Sequence, residues 1–158
     1  MATLKDHPKG LHRLNRLYIR PFYFVTFNTE RRRKILANQP IHNAFQKFAY
    51  RAFDEHEVAV GRYVIMPDHI HLFVARPPSG STLSQWMKAL RSCLGKTLLA
   101  QGQSKPHWQR NFFDHVIRSS ESYSQKWEYV RMNPVRAELC KDPYDWPYQG
   151  EIIILRFD

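Results

Sequence analysis

The chain has 158 residues, a length that fits one compact domain. Apolar residues make up 43% and aromatics 14%, which supplies a packed core and excludes an intrinsically disordered chain. Twenty-four Lys and Arg against 14 Asp and Glu leave a net charge of +10, which points to a polyanionic partner, nucleic acid first and an anionic membrane second. No apolar run approaches the roughly 18 residues of a membrane span. Met1–Lys9 is polar and lacks the hydrophobic stretch of a secretory signal. Cys93 and Cys140 are too few for a disulfide framework and wrongly spaced for zinc. These features predict a cytoplasmic, basic domain that is not inserted in a membrane.

In chain order, residues 1–16 form a polar, basic N-terminal segment. Tyr18 to Phe27 is dense in aromatic and β-branched residues and reads as a strand, with Pro21 suited to an edge or a bulge. The charge run at residues 30–34 is either a solvated turn or a phosphate contact. From Pro40 to about His56, Ile41, Phe45, Phe48, Ala49, Ala52 and Phe53 recur at steps of three and four, predicting an amphipathic helix with Pro40 in its first turn. Val58–Met66 reads as a second strand, Pro67-Asp68 as a turn, and His69–Ala75 as a third strand paired with the second. Leu83, Trp86, Met87, Leu90, Leu94 and Leu98 give a helix over residues 82–100. Phe112–Ile117 reads as a fourth strand, and a third helix runs from about Ser120 toward Asn133, where Pro134 disfavours its continuation. A tail follows, with an aromatic-proline cluster over residues 144–148 and a short apolar segment over residues 152–157. The order β-α-β-β-α-β plus a helix predicts an α+β, ferredoxin-like (split βαβ) fold. One antiparallel sheet carries two helices on one face and leaves the other face to a ligand or to the extra helix.

Three sets of residues are suited to chemistry. His69 and His71 alternate on a strand, so both project to one face about 6.6–7 Å apart, from which two neutral imidazoles converge on one cation or lie as ordinary strand histidines. Tyr129 and Asn133, four apart on the predicted third helix, share a face with about 5–6 Å between Cβ atoms. They are a phenol beside an amide oxygen, or a packed Tyr and a helix stop. Trp108, Gln109 and Arg110 are suited either to stack on a base and grip a phosphate or to anchor a loop. Lys88 and Arg91 belong to the polar face of the second helix, with a DNA backbone as the other possible contact. His115 and Asp68 are open between site and structural roles. No glycine-rich phosphate loop and no His-Glu-x-x-His are present.

In succession these blocks resemble the IS200/IS605-type single-tyrosine transposases of the HUH superfamily, and within them the REP-associated tyrosine transposases. The resemblance rests on Val64-Ile65-Met66-Pro67-Asp68-His69-Ile70-His71-Leu72-Phe73 and on Trp108-Gln109-Arg110-Asn111-Phe112-Phe113-Asp114-His115-Val116-Ile117-Arg118. It continues through Tyr129-Val130-Arg131-Met132-Asn133-Pro134-Val135-Arg136-Ala137 and Asp145-Trp146-Pro147-Tyr148. Asn111 and Glu138 stand where relatives often have glycine, a departure expected to affect loop shape rather than chemistry.

The resemblance implies a catalytic domain over residues 17–135, followed by a tail over residues 136–158. It further implies His69, His71 and Asn133 as ligands of Mg²⁺ or Mn²⁺, and Tyr129, rather than Tyr123, as the nucleophile carried on the C-terminal helix. The implied activity is metal-dependent cutting and rejoining of single-stranded hairpin DNA through a 5′-phosphotyrosine link, by a monomer or homodimer in a bacterial cytoplasm. A catalytically idle nucleic-acid-binding domain is the alternative, and a phosphodiesterase that uses water as nucleophile is a further one.

Overall fold

The computed structural model describes residues 22–157, and the expectations for residues 1–21 lie outside the described residues. The core of the fold is one antiparallel sheet. Its strands are β1 (Phe22–Asn28), β2 (Ala59–Ile65), β3 (His69–Ala75), β4 (Phe113–Ile117) and β5 (Gln149–Glu151). They lie in the order β4-β1-β3-β2-β5, so the first four strands have the order of the split βαβ motif. The helices are α1 (Gln39–His56), α2 (Leu83–Ala100), α3 (Ser120–Val130) and the single turn α4 (Asn133–Arg136).

Helix boundaries follow local chemistry. The Asn38 side chain accepts from the Ile41 backbone N–H at 3.1 Å and starts α1, with Pro40 in the first turn. Thr82 and Gln85 close a reciprocal capping box at the start of α2.

Period-2 alternation assigns each strand residue to a face. Val25, Phe27, Ile70, Leu72, Val74 and Tyr63 point to one side and are buried. On that side Phe45 of α1 packs on Tyr63 with ring centroids 4.5 Å apart, and the Tyr63 hydroxyl bridges His42 (2.7 Å) and Gln46 (3.2 Å). Phe48 of α1 meets Trp86 of α2, joining the two helices into one layer. The opposite face carries Phe24, Thr26, Asn28, His69, His71 and Phe73, and α3 lies across its Phe73 end.

Two expectations change. The third helix stops at Val130, and Asn133 opens α4 instead of ending α3. Pro134 has no N–H to donate to the Val130 carbonyl, so the ladder breaks there, while proline is well tolerated in the first turn that follows. Nor does the division at residues 135 and 136 separate packing units. The expected tail adds β5 to the sheet beside β2, its Trp146 indole donates to the Ile65 carbonyl at 3.0 Å, and Ile152, Ile153 and Leu155 are core residues. The β5 segment Gln-Gly-Glu is too short and too polar to show strand periodicity. No helix among the described residues is long and apolar enough to cross a membrane.

Glu138 lies just after α4 with φ +60° and is exposed. A side chain in the left-handed region costs about 1 kcal/mol that glycine avoids. Glu138→Gly is therefore expected to raise stability by roughly 0.5–1 kcal/mol, read as a higher urea midpoint at unchanged slope.

Candidate functional site

The site is built on β3. His69 and His71 sit opposite Asn28 and Thr26 of β1, so all four side chains share the α3 face. The imidazole rings are 4.7 Å apart and nearly perpendicular, at 81°. Each ring is held from behind. His69 Nδ1 donates to Asp68 Oδ1 at 2.7 Å, and Asp68 Oδ2 in turn accepts from Arg32 Nε at 2.9 Å. His71 Nδ1 shares a 2.7 Å hydrogen bond with Thr26 Oγ1, and its ring stacks on Phe24. With both Nδ1 atoms engaged, the two Nε2 atoms are the ligating positions left, the arrangement by which second partners fix a histidine ligand's tautomer.

Both imidazoles are held neutral. Burial lowers the His69 pKa, against the raising effect of Asp68. Burial, then the neighbouring His69 ring and the positive charges of Lys126, Arg136 and Arg32, take His71 down to about 3. Burial would raise the Asp68 pKa, but the hydrogen bonds from His69 and Arg32 outweigh it and leave the carboxylate lowered. A neutral imidazole keeps its lone pair for a cation, so the donors suit a divalent metal. Among the described residues no group of three or more His, Cys, Asp or Glu gathers for a metal.

The two tyrosines of α3 are sorted by the helix itself. Tyr123 faces the sheet, its ring stacked on Phe73 at 4.6 Å and its hydroxyl buried, and burial pushes its pKa upward. Tyr129 points outward and is 65% exposed. Arg136 ties it to Asn133: the guanidinium lies 4.1 Å from the Tyr129 ring, and Nη2 donates to the Tyr129 carbonyl and to the Asn133 side-chain oxygen. Tyr129 and Asn133 are thus linked through Arg136 across the α3–α4 junction, where Arg131 and Met132 keep right-handed helical dihedrals. Among the described residues no hydrogen bond joins either of them to the histidines.

The remaining expected residues have internal roles. The Trp108 indole donates to the Arg91 carbonyl at 3.0 Å and packs on Phe27, on the face away from the histidines. Arg91 donates to the carbonyls of Gln109 and Arg110, lies over Phe112, and has its pKa lowered by burial. Both anchor the loop before β4. Gln109 accepts from Asn28 at 3.4 Å, beside the histidines, while Arg110 and Lys88 are exposed. His115 is exposed on β4. In the charge run, Arg32 is committed to Asp68, and Arg33 to the carbonyls of Ser104 and Pro106. Sequence reasoning missed Thr26 and Arg136, because strand register and a turn-closing arginine carry no local signal.

A family model described as "Transposase IS200 like" matches residues 21–133. The chain belongs to the IS200-like transposase family. It is 24% identical over 127 residues to the REP-associated tyrosine transposase of Escherichia coli, covering 80% of this chain and 73% of that protein. A Haemophilus influenzae protein provisionally assigned to the same group is 29% identical over 142 residues, covering 81% of this chain and 78% of that protein. A solved REP-associated tyrosine transposase bound to a REP hairpin shares the fold, with TM-score 0.67, 24% identity, and coverage of 84% of this chain and 78% of that one.

The neutral histidines predict a pH dependence for the metal-free transposase. His42 is lowered by burial and His71 lies near 3, both from an ordinary 6.5. Below 6.5 the unfolded chain binds protons that the folded one refuses, so their contribution, complete above 6.5, is lost as pH falls toward the folded values. The urea midpoint is expected to be lower at about pH 5 than at about pH 7.5, with a smaller difference in His71→Gln.

Proposed function

We propose that this transposase cuts and rejoins single-stranded hairpin DNA through a 5′-phosphotyrosine link on Tyr129. The observation that carries the reading is the pairing, on the α3 side of the sheet, of two imidazoles with free Nε2 positions and an outward tyrosine, while the rival Tyr123 is sealed in the core. Family membership and the +10 charge support a nucleic-acid substrate, and the hairpin is inferred from the REP hairpin bound to the solved relative.

In this reading His69, His71 and Asn133 hold Mg²⁺ or Mn²⁺, nitrogen ligands favouring Mn²⁺ on softness. When bound, the ion supplies Lewis-acid polarisation of the scissile phosphate. Asp68 and Thr26 keep the imidazoles oriented, and for Asn133 to ligate, its oxygen exchanges its bond from Arg136. The Tyr129 phenolic oxygen attacks phosphorus, its proton passes to solvent, and the bond to the 3′-oxygen breaks with uptake of a proton by that oxygen. A DNA 3′-hydroxyl then attacks the phosphotyrosine and restores Tyr129, so the link conserves the phosphodiester bond and no nucleotide cofactor is required. Residues 17–135 carry the chemistry in this proposal, with β5 and the rest of 136–158 completing the sheet.

A 3′-labelled single-stranded hairpin from the flanking genomic DNA, incubated with Mn²⁺ or Mg²⁺ and run on a denaturing gel, tests the reading. The label is expected to move to protein mass, to fail to do so in Tyr129→Phe or with EDTA, and to do so still in Tyr123→Phe if that variant folds. Free fragments that persist in Tyr129→Phe would mean a water nucleophile. Binding with no cleavage in any metal would mean an idle binding domain.

A further inference from the structure

Four arginines on this side of the molecule have defined partners, and one of them stands apart. Arg32 is paired with Asp68, Arg62 with Glu151 and Arg131 with Glu128. Among the described residues Arg136 faces no carboxylate. Its hydrogen bonds, to the Tyr129 carbonyl at 2.7 Å and to the Asn133 side-chain oxygen, are both made by Nη2. A guanidinium carries five N–H donors, so the N–H groups on Nε and Nη1 have no acceptor among the described residues. The residue is exposed, and its guanidinium carbon lies 4.1 Å from the centre of the Tyr129 ring. An unneutralised guanidinium with free donors on an exposed surface fits an anionic phosphate oxygen, to which its hydrogen bonds are charge-assisted and directional.

We propose that Arg136 binds a phosphate of the DNA strand through Nε and Nη1 while its Nη2 bond to the Tyr129 carbonyl and its contact with the Tyr129 ring hold that residue, so that phosphate binding sets the placement of Tyr129. Arg136 is then a positioning residue and DNA contact in one. The assignment rests on the reading of Tyr129 as the nucleophile. An exposed tyrosine at the last turn of a helix otherwise samples several rotamers, and fixing it against the strand lowers the entropic part of the barrier to attack. Lysine retains charge but lacks the planar group that spans ring and carbonyl. The two functions are therefore separable by substitution.

The test uses the full chain and a set of single-stranded hairpins, each with one linkage replaced by a neutral methylphosphonate. In the wild type, neutralising the linkage held by Arg136 is expected to weaken binding about tenfold. In Arg136→Gln that linkage should stop mattering while the others keep their effects. Arg136→Lys should retain most of the binding yet form the covalent adduct at least about tenfold more slowly, a split between binding and rate that a purely structural role would not produce. Melting curves of both variants report folding, and the lysine variant carries the test if the glutamine variant unfolds. Every linkage weakening Arg136→Gln as it does the wild type would overturn the phosphate contact, and a lysine variant with wild-type adduct rate would overturn the positioning role. If the linkage effect disappears as expected but the wild type forms no adduct on Tyr129, the nucleophile assignment falls and the coupling falls with it, while the phosphate contact stands.

Discussion

The pairing of β1 with β3 is the constraint on which the site depends. Thr26 lies opposite His71 and Asn28 opposite His69, and the side-chain period of two then sends Ile70, Leu72 and Val74 to the other face, where they are completely buried. A slip of one residue would put both imidazoles into the α1–α2 layer and three aliphatic side chains into solvent. The hydrophobic penalty for that exchange, about 1.5–3 kcal/mol for each large aliphatic side chain, locks the register. The same pairing delivers the Thr26 hydroxyl to His71, so core packing and imidazole orientation are enforced by one ladder of backbone hydrogen bonds.

The electrostatics of the α3 face follow from what surrounds the ladder. Lys126 rests over the Phe24 ring and Arg136 over Tyr129, whereas Arg62 and Arg131, which also lie over rings, are paired with Glu151 and Glu128. Rings support the alkyl and guanidinium groups without neutralising them, which keeps positive charge beside two histidines that are themselves uncharged. The result is a surface that is attractive to phosphate and holds its nitrogen donors unprotonated. Asp68 is the anionic element recorded in contact with a histidine, and it is balanced by Arg32.

The α3–α4 break shows how one residue type reshapes a site. Pro134 interrupts the helical ladder between α3 and α4. Arg136 reaches the Tyr129 ring across that junction, and Glu138, in the left-handed region shortly after α4, changes the direction of the chain.

Much of this was legible in the residue order. Alternation and helical spacing located β2, β3, α1 and α2 to within a residue or two, because each presents a continuous apolar stripe to one core. The placing of His69 and His71 on one face of a strand and the family followed from motifs that are local in the chain. The reading ran short where information is not local. The strand β5 has no periodicity of its own and exists because β2 offers an unpaired edge. The bond between the Trp108 indole and the Arg91 carbonyl joins the loop before β4 to α2, and no local pattern announces it. The sequence by itself determined the element order, the two imidazoles on one face and the basic character of the chain, since period and composition are properties of neighbouring residues. Tertiary structure alone decided that Thr26 backs His71, that Arg136 gathers Tyr129 and Asn133, and that Tyr123 is sealed away, because each depends on register or burial between segments far apart in the chain.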